Sequence, residues 1–167
     1  MNSAKMDLLT GLYSRVGLEE KLNQEQSQSQ RTGKSFSMIL ADIDHIGKIN
    51  GQFGMKVGDQ VIIRTTALLT ESAREQDLVA RWSSEEFFIL LPETSLEDAK
   101  KLAGEIRSGI EKERLNFNQH EIPLTLSIGV NTCLPDMKWD KCFSVAEEYL
   151  NQAKKLGRNR VITDENN

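Results

Sequence analysis

What this 167-residue chain lacks narrows its reading. It has no long apolar run: the longest, Phe87 to Leu91, falls far short of the roughly 18 residues a membrane-spanning helix requires. It has no basic block and no stripe of interleaved aromatics, and its net charge of −4 gives no reason to expect nucleic acid as a partner. Its only cysteines, Cys133 and Cys142, lack metal-ligand spacing and a second pair, which suits reduced thiols in a cytoplasmic protein. Met1 to Thr10 lacks the charged-then-apolar pattern of a secretory signal, and no internal repeat is evident. What remains is ordinary: 38% hydrophobic and 28% charged residues at a length that buries the core of one domain, residues 1–167.

Periodicity then assigns elements. Val16, Leu18 and Leu22 mark a short, weakly amphipathic helix, and the Gln- and Ser-rich stretch from Asn23 to Ser35 reads as its frayed end running into a loop. Phe36 to Ile43 reads as a strand and Val57 to Ala73 as a helix. Leu78 to Trp82 and Phe87 to Leu91 read as two strands joined at a Ser83-Ser84 hairpin tip. Leu96 to Ile110 is the clearest helix, with Ser95 as its N-cap. Leu124 to Val130 alternates as a half-buried strand, Val145 to Leu156 is a helix ended by Gly157, and Val161 with Ile162 makes a last short strand. Strands alternating with helices, plus an internal hairpin, give an α+β or mixed α/β layer fold.

The chemistry-bearing residues are acids. Glu85 and Glu86 sit between the small polar turn and the apolar run, and Asp42-Ile43-Asp44 ends the first long strand. Alternation points Asp42 and Asp44 the same way. If the two strands are neighbours, an Asp on one and Glu85 or Glu86 on the other meet around a divalent cation such as Mg²⁺, which takes one or two carboxylates and leaves the rest of its octahedron to phosphates and waters. Without that adjacency, the same residues are caps, loop acids and a solvated turn.

With these motifs taken together, the chain resembles the GGDEF domain family, the diguanylate cyclases that join two GTP into cyclic di-GMP. Asp7-Leu8-Leu9-Thr10-Gly11-Leu12-Tyr13-Ser14-Arg15 is similar to the family's opening motif, with Ser14 for Asn. Asp42-Ile43-Asp44-His45, then Asn50, Gly54 and Gly58-Asp59, follow in order. Leu126 to Val130 matches the family's Ser-Ile-Gly-Val strand, and Ala153-Lys154 with Gly157-Arg158-Asn159-Arg160 its closing motif. The likeness runs from about Asp7 to Val161, inside a domain core of about residues 7–163. It implies a nucleotidyl-cyclase-like central sheet flanked by helices, with the hairpin carrying the signature.

The resemblance implies roles. Asp42, the Ile43 carbonyl and Glu86 would ligate Mg²⁺ or Mn²⁺, and Glu85 would assist the metal or activate the attacking hydroxyl. Asn50 and Asp59 would bond the guanine, while Lys154 and Arg158 would contact the phosphates of GTP. Arg74-Glu75-Gln76-Asp77 stands where the family binds its product, so Arg74 and Asp77, with Arg107 as a candidate second arginine, would hold cyclic di-GMP. Outside the family, such a motif is a common helix-end salt bridge.

The signature departs from the family. Ser83-Ser84 stands for Gly-Gly, where both residues of a two-residue turn take positive φ freely. Gly47 stands for a Lys near the phosphates, Met55 for His, Gly51 for Asp and Ile46 for Phe. The expectation is a degenerate, catalytically impaired domain that binds cyclic di-GMP. The alternatives are a slow but active cyclase and a dimerisation or GTP-binding module. Turnover in the family needs two domains face to face, so a homodimer is expected, within a longer signalling protein. Trp82 and Trp139 read as packing residues, and His120 as a loop residue.

Overall fold

The computed structural model describes residues 4–117 and 119–164. Its elements are α1 (Arg15–Thr32), β1 (Phe36–Ile43), α2 (Ile46–Phe53), α3 (Met55–Ser72), β2 (Leu78–Arg81), β3 (Glu86–Leu91), α4 (Leu96–Lys112), β4 (Arg114–Phe117), β5 (His120–Pro123), β6 (Leu126–Cys133), α5 (Trp139–Lys155) and β7 (Arg160–Ile162). Five strands form one sheet in the order β2-β3-β1-β6-β7. All neighbours are antiparallel except β6 and β7. The expected mixed α/β fold with a helix-covered central sheet is what the chain adopts.

β1 is buried along its whole length because it lies between two strands and two layers of helices. Ile39, Ala41 and Ile43 pack with residues of α2, α3 and α4 on one face. Phe36, Met38 and Leu40 pack with Leu18, Leu22, Phe143 and Leu150 of α1 and α5 on the other. Strand alternation therefore puts Asp42 on the α5 side. Phe88 and Leu90 of β3 share that face, so Glu86 does too.

Several expectations are corrected. α1 continues to Thr32 instead of fraying at Asn23. Gln is a fair helix former, Leu18 and Leu22 are fully buried, and Gly33 closes the helix in the left-handed conformation. Ile46–Phe53 is a separate helix that periodicity missed: it spans eight residues, starts from a left-handed His45 and is too short for a strong pattern. β4 and β5 pair as a small antiparallel sheet of their own, so His120 lies in a strand, with its ring 5.7 Å from that of Phe53. Cys133 and Cys142 are free and buried. Among the described residues, no helix is long and apolar enough to cross a membrane.

Candidate functional site

β1 and β3 are neighbours in a register that sets Asp42 directly opposite Glu86. That adjacency is the condition the sequence left open. Asp42 is 5% exposed; its Oδ2 pairs with Lys154 Nζ from α5, and its Oδ1 is buried without a hydrogen-bond partner. Burial, with the Asp44 charge adding to it, raises the Asp42 carboxyl above its ordinary value despite Lys154. Burial also pushes Glu86 up to about 7, with the charges of Asp42 and Glu147 adding to the shift. Glu85 is raised by burial and then by Asp42.

Negative charge is thus crowded here and only partly compensated, which is the environment a cation relieves. The Ile43 carbonyl lies beside Asp42 in the chain. Among the described residues, no group of three or more His, Cys, Asp or Glu side chains converges on one point. A hard cation that keeps waters and phosphate oxygens needs only one or two carboxylates, and the unpartnered Asp42 Oδ1, on the residue opposite Glu86, fits that demand.

A crevice of about 260 Å³ opens beside these groups, lined by Asp42, Ile43, Gly47, Glu85, Lys154 and Arg158 among others. Asp44 is not free to join a metal. Its carboxylate accepts from Thr125 Oγ1 at 2.7 Å, Ser127 Oγ at 2.6 Å and the Asn159 N–H at 3.1 Å, which ties β1 to β6 and to the closing loop. A β-carbon at Gly47 would meet nothing within 4 Å, so the missing side chain leaves open space.

The signature turn is not the expected two-residue hairpin. Arg81 pairs with Phe87, and the N–H groups of Trp82 and Ser83 both donate to the Glu86 carbonyl, at 2.8 and 3.2 Å. Neither Ser83 nor Ser84 has positive φ. The strain expected from serine in a Gly-Gly turn is therefore absent, because the wider loop keeps both residues in ordinary backbone regions. The opening motif braces this loop. Asp7 accepts from Thr10 and from Arg81 Nη1, and Arg81 Nη2 donates to the Ser84 carbonyl at 2.6 Å. That link between Asp7 and the turn was not legible in the sequence.

Asn50 and Asp59 stand on consecutive helices, α2 and α3. Asn50 Oδ1 is buried and unpaired, packed against Gly58, where a β-carbon would overlap it. At the far side of the sheet, Arg74 Nε and Nη2 donate to both Asp77 oxygens at 3.0 and 2.9 Å, and Nη2 also reaches Thr94 Oγ1. The Asp77 side chain is fully covered while that of Arg74 is 42% exposed. A shallow groove beside it is lined by Thr94, Asp98, Lys101 and Glu105. The structure does not bring Arg107 into this group. Arg107 lies near the C-terminal end of α4 and pairs instead with Glu111 and Asn159.

The pH dependence of stability follows from Glu86. Between its ordinary 4.5 and about 7, the folded chain holds a proton that the unfolded chain has released. The metal-free fold should therefore lose stability as pH rises through that window, by about 2 kcal/mol once partial exposure is discounted. Glu86→Gln should flatten the decline. Urea titrations at about pH 5 and about pH 8 read it, and an equally steep decline in the variant would contradict it.

The chain matches the family described as "Diguanylate cyclase, GGDEF domain" over residues 4–160, and it belongs to that family. It is 35% identical over 158 residues to the diguanylate cyclase DgcP of Pseudomonas aeruginosa, covering 95% of this chain and 24% of that protein. Its fold is similar to the diguanylate cyclase SiaD of Pseudomonas aeruginosa, solved with its activator SiaC, at TM-score 0.92 and 31% identity, over 96% of this chain and 62% of SiaD. It is also similar to the GGDEF domain of DgcB from Caulobacter crescentus, solved with c-di-GMP, at TM-score 0.93 and 25% identity, over 98% of this chain and 97% of that one. The chain spans less than half the length of the curated relatives it matches.

Proposed function

We propose that this chain is a cytoplasmic domain of a longer cyclic di-GMP signalling protein, impaired in catalysis, that binds the dinucleotide through Arg74 and Asp77. One observation carries the reading: Asp77 and Thr94 hold the Arg74 guanidinium at the surface beside a groove. A guanidinium fixed by a buried carboxylate loses little side-chain entropy on meeting a ligand, and Nη1, which neither Asp77 nor Thr94 engages, keeps its two N–H donors for a guanine edge or a phosphate. DgcB, solved with c-di-GMP, offers a parallel from the same fold.

The nucleotide crevice is proposed to survive. Asp42, the Ile43 carbonyl and Glu86 would hold Mg²⁺ or Mn²⁺, which neutralises phosphate charge when bound. Lys154 and Arg158 line the crevice and would meet the phosphates of GTP. Asn50, whose buried Oδ1 has no partner, would bond the guanine, with Asp59 on the next helix. Glu85 flanks the crevice as the candidate to position or deprotonate an attacking hydroxyl. Turnover is impaired because exposed Ser83 and Ser84 add bulk at the turn, and Gly47 leaves the crevice without a cation there. The retained carboxylates and cations favour a second reading, a slow cyclase acting as a homodimer.

Isothermal titration with cyclic di-GMP tests the receptor reading. Binding to the wild type and a loss of about thirtyfold in Arg74→Ala are expected. No heat from the wild type would overturn it. Incubation with GTP and Mg²⁺, followed by chromatography for product, tests the slow-cyclase reading.

A further inference from the structure

Arg107 does not reach Arg74, but its Nη1 donates to Asn159 Oδ1 at 2.9 Å. Asn159 Nδ2 donates to Glu111, whose carboxylate also lies 3.4 Å from Arg107. From the other side, the Asn159 N–H donates to Asp44, itself fixed by Thr125 and Ser127. Asn159 is therefore clamped between α4 and the sheet.

The residue before it, Arg158, lines the crevice beside Asp42 and Lys154. Arg158 and Asn159 have φ of 65° and 49°, in the left-handed region. Asn tolerates that conformation, but a long side chain such as Arg holds it only where its surroundings enforce it. Here they do. The Arg158 N–H donates to the Ala153 carbonyl at 2.8 Å, its carbonyl accepts from Arg160 Nε at 3.0 Å, and Asn159 is fixed as described. Relaxing Asn159 would let Arg158 return to a commoner backbone region and swing its guanidinium away from the crevice.

We propose that Arg107 and Asn159 are positioning residues that hold Arg158 at the crevice, where it meets the phosphates of a nucleoside triphosphate. The inference rests on the nucleotide-binding reading above and extends it to a pair that touches no ligand. It also gives α4 a direct mechanical link to the phosphate end of the site.

A double-mutant cycle read by calorimetry tests it, with GTP and guanosine as separate probes. Arg107→Ala should weaken GTP about fivefold and leave guanosine, which has no phosphates, unchanged. In an Arg158→Ala background the same change should add nothing, and Arg107→Lys, which keeps a donor, should recover most of the affinity. A merely structural role for Arg107 would weaken both probes alike. Equal weakening of both, additivity in the double variant, or GTP binding indifferent to Arg107→Ala would each overturn the positioning role while leaving the nucleotide reading intact. Failure of the wild type to take GTP would overturn both.

Discussion

Replacing both turn serines by glycine, Ser83→Gly with Ser84→Gly, should raise conversion of GTP to cyclic di-GMP by about a hundredfold over the parent chain. The expected size comes from geometry: a reacting group displaced by about 1 Å loses about that factor. Two physical reasons could make serine harmful at this turn, and the structure removes one. Strain in a left-handed turn is absent, since neither serine has positive φ and the loop is wider than two residues. Bulk remains, because each serine adds a β-carbon and a hydroxyl on an exposed loop next to Glu85 and Glu86.

The two explanations differ in what they forecast for stability. If strain mattered, glycine would stabilise the fold. If only bulk matters, glycine should leave stability unchanged or lower it by about 0.5–1 kcal/mol, through the extra freedom of the unfolded chain. Product formation by chromatography and a urea melt of the same protein separate these outcomes. Gly47→Lys can then be added, since a β-carbon there meets nothing within 4 Å. A glycine pair that gains nothing while Gly47→Lys alone restores product would move the defect from the turn to the missing cation.

Legibility from sequence followed the strength of local signals. β1 was bounded correctly from its apolar residue pattern, and α4 was placed at its true start because Ser95 accepts from the Asp98 N–H as an N-cap should, though the helix runs on from Ile110 to Lys112. α2 was invisible because it is short and starts from His45 without a side-chain cap. The length of α1 was missed because its polar sequence hides an end set by Gly33 and by Ser29 bonding the Lys34 carbonyl. For the site, acid types and spacing left Asp42 or Asp44 and Glu85 or Glu86 open, the family resemblance singled out Asp42 and Glu86, and strand register sets those two opposite each other. Arg107 shows the limit of spacing: the residue lies on the expected helix, but its guanidinium is turned to Glu111 and Asn159 and not to Arg74. Asp44 looked like a companion of Asp42, and its partners lie 81 and 83 residues away in the chain, beyond any local pattern.

Gly58→Ala is the change expected to remove nucleotide recognition most cleanly. By helix propensity alone it should help: Gly58 lies in the first turns of α3, where alanine is favoured by about 0.5–1 kcal/mol. The glycine is there for a neighbour. A β-carbon at this position would overlap Asn50 Oδ1, the buried acceptor left without a partner. α2 and α3 are joined at Gly54, whose φ of 94° sets the angle between them, so neither helix can yield without the other. The Asn50 side chain must therefore swing away, taking its acceptor out of the position proposed for guanine. GTP affinity should fall by about a hundredfold, the worth of hydrogen bonds lost from a desolvated site. The melting temperature should change little, since the gain in propensity offsets part of the displacement. Binding of cyclic di-GMP at Arg74 should be untouched, because that group lies beyond the C-terminal end of α3. Unchanged GTP affinity in a folded Gly58→Ala protein would remove Asn50 from the recognition site, whatever its geometry suggests.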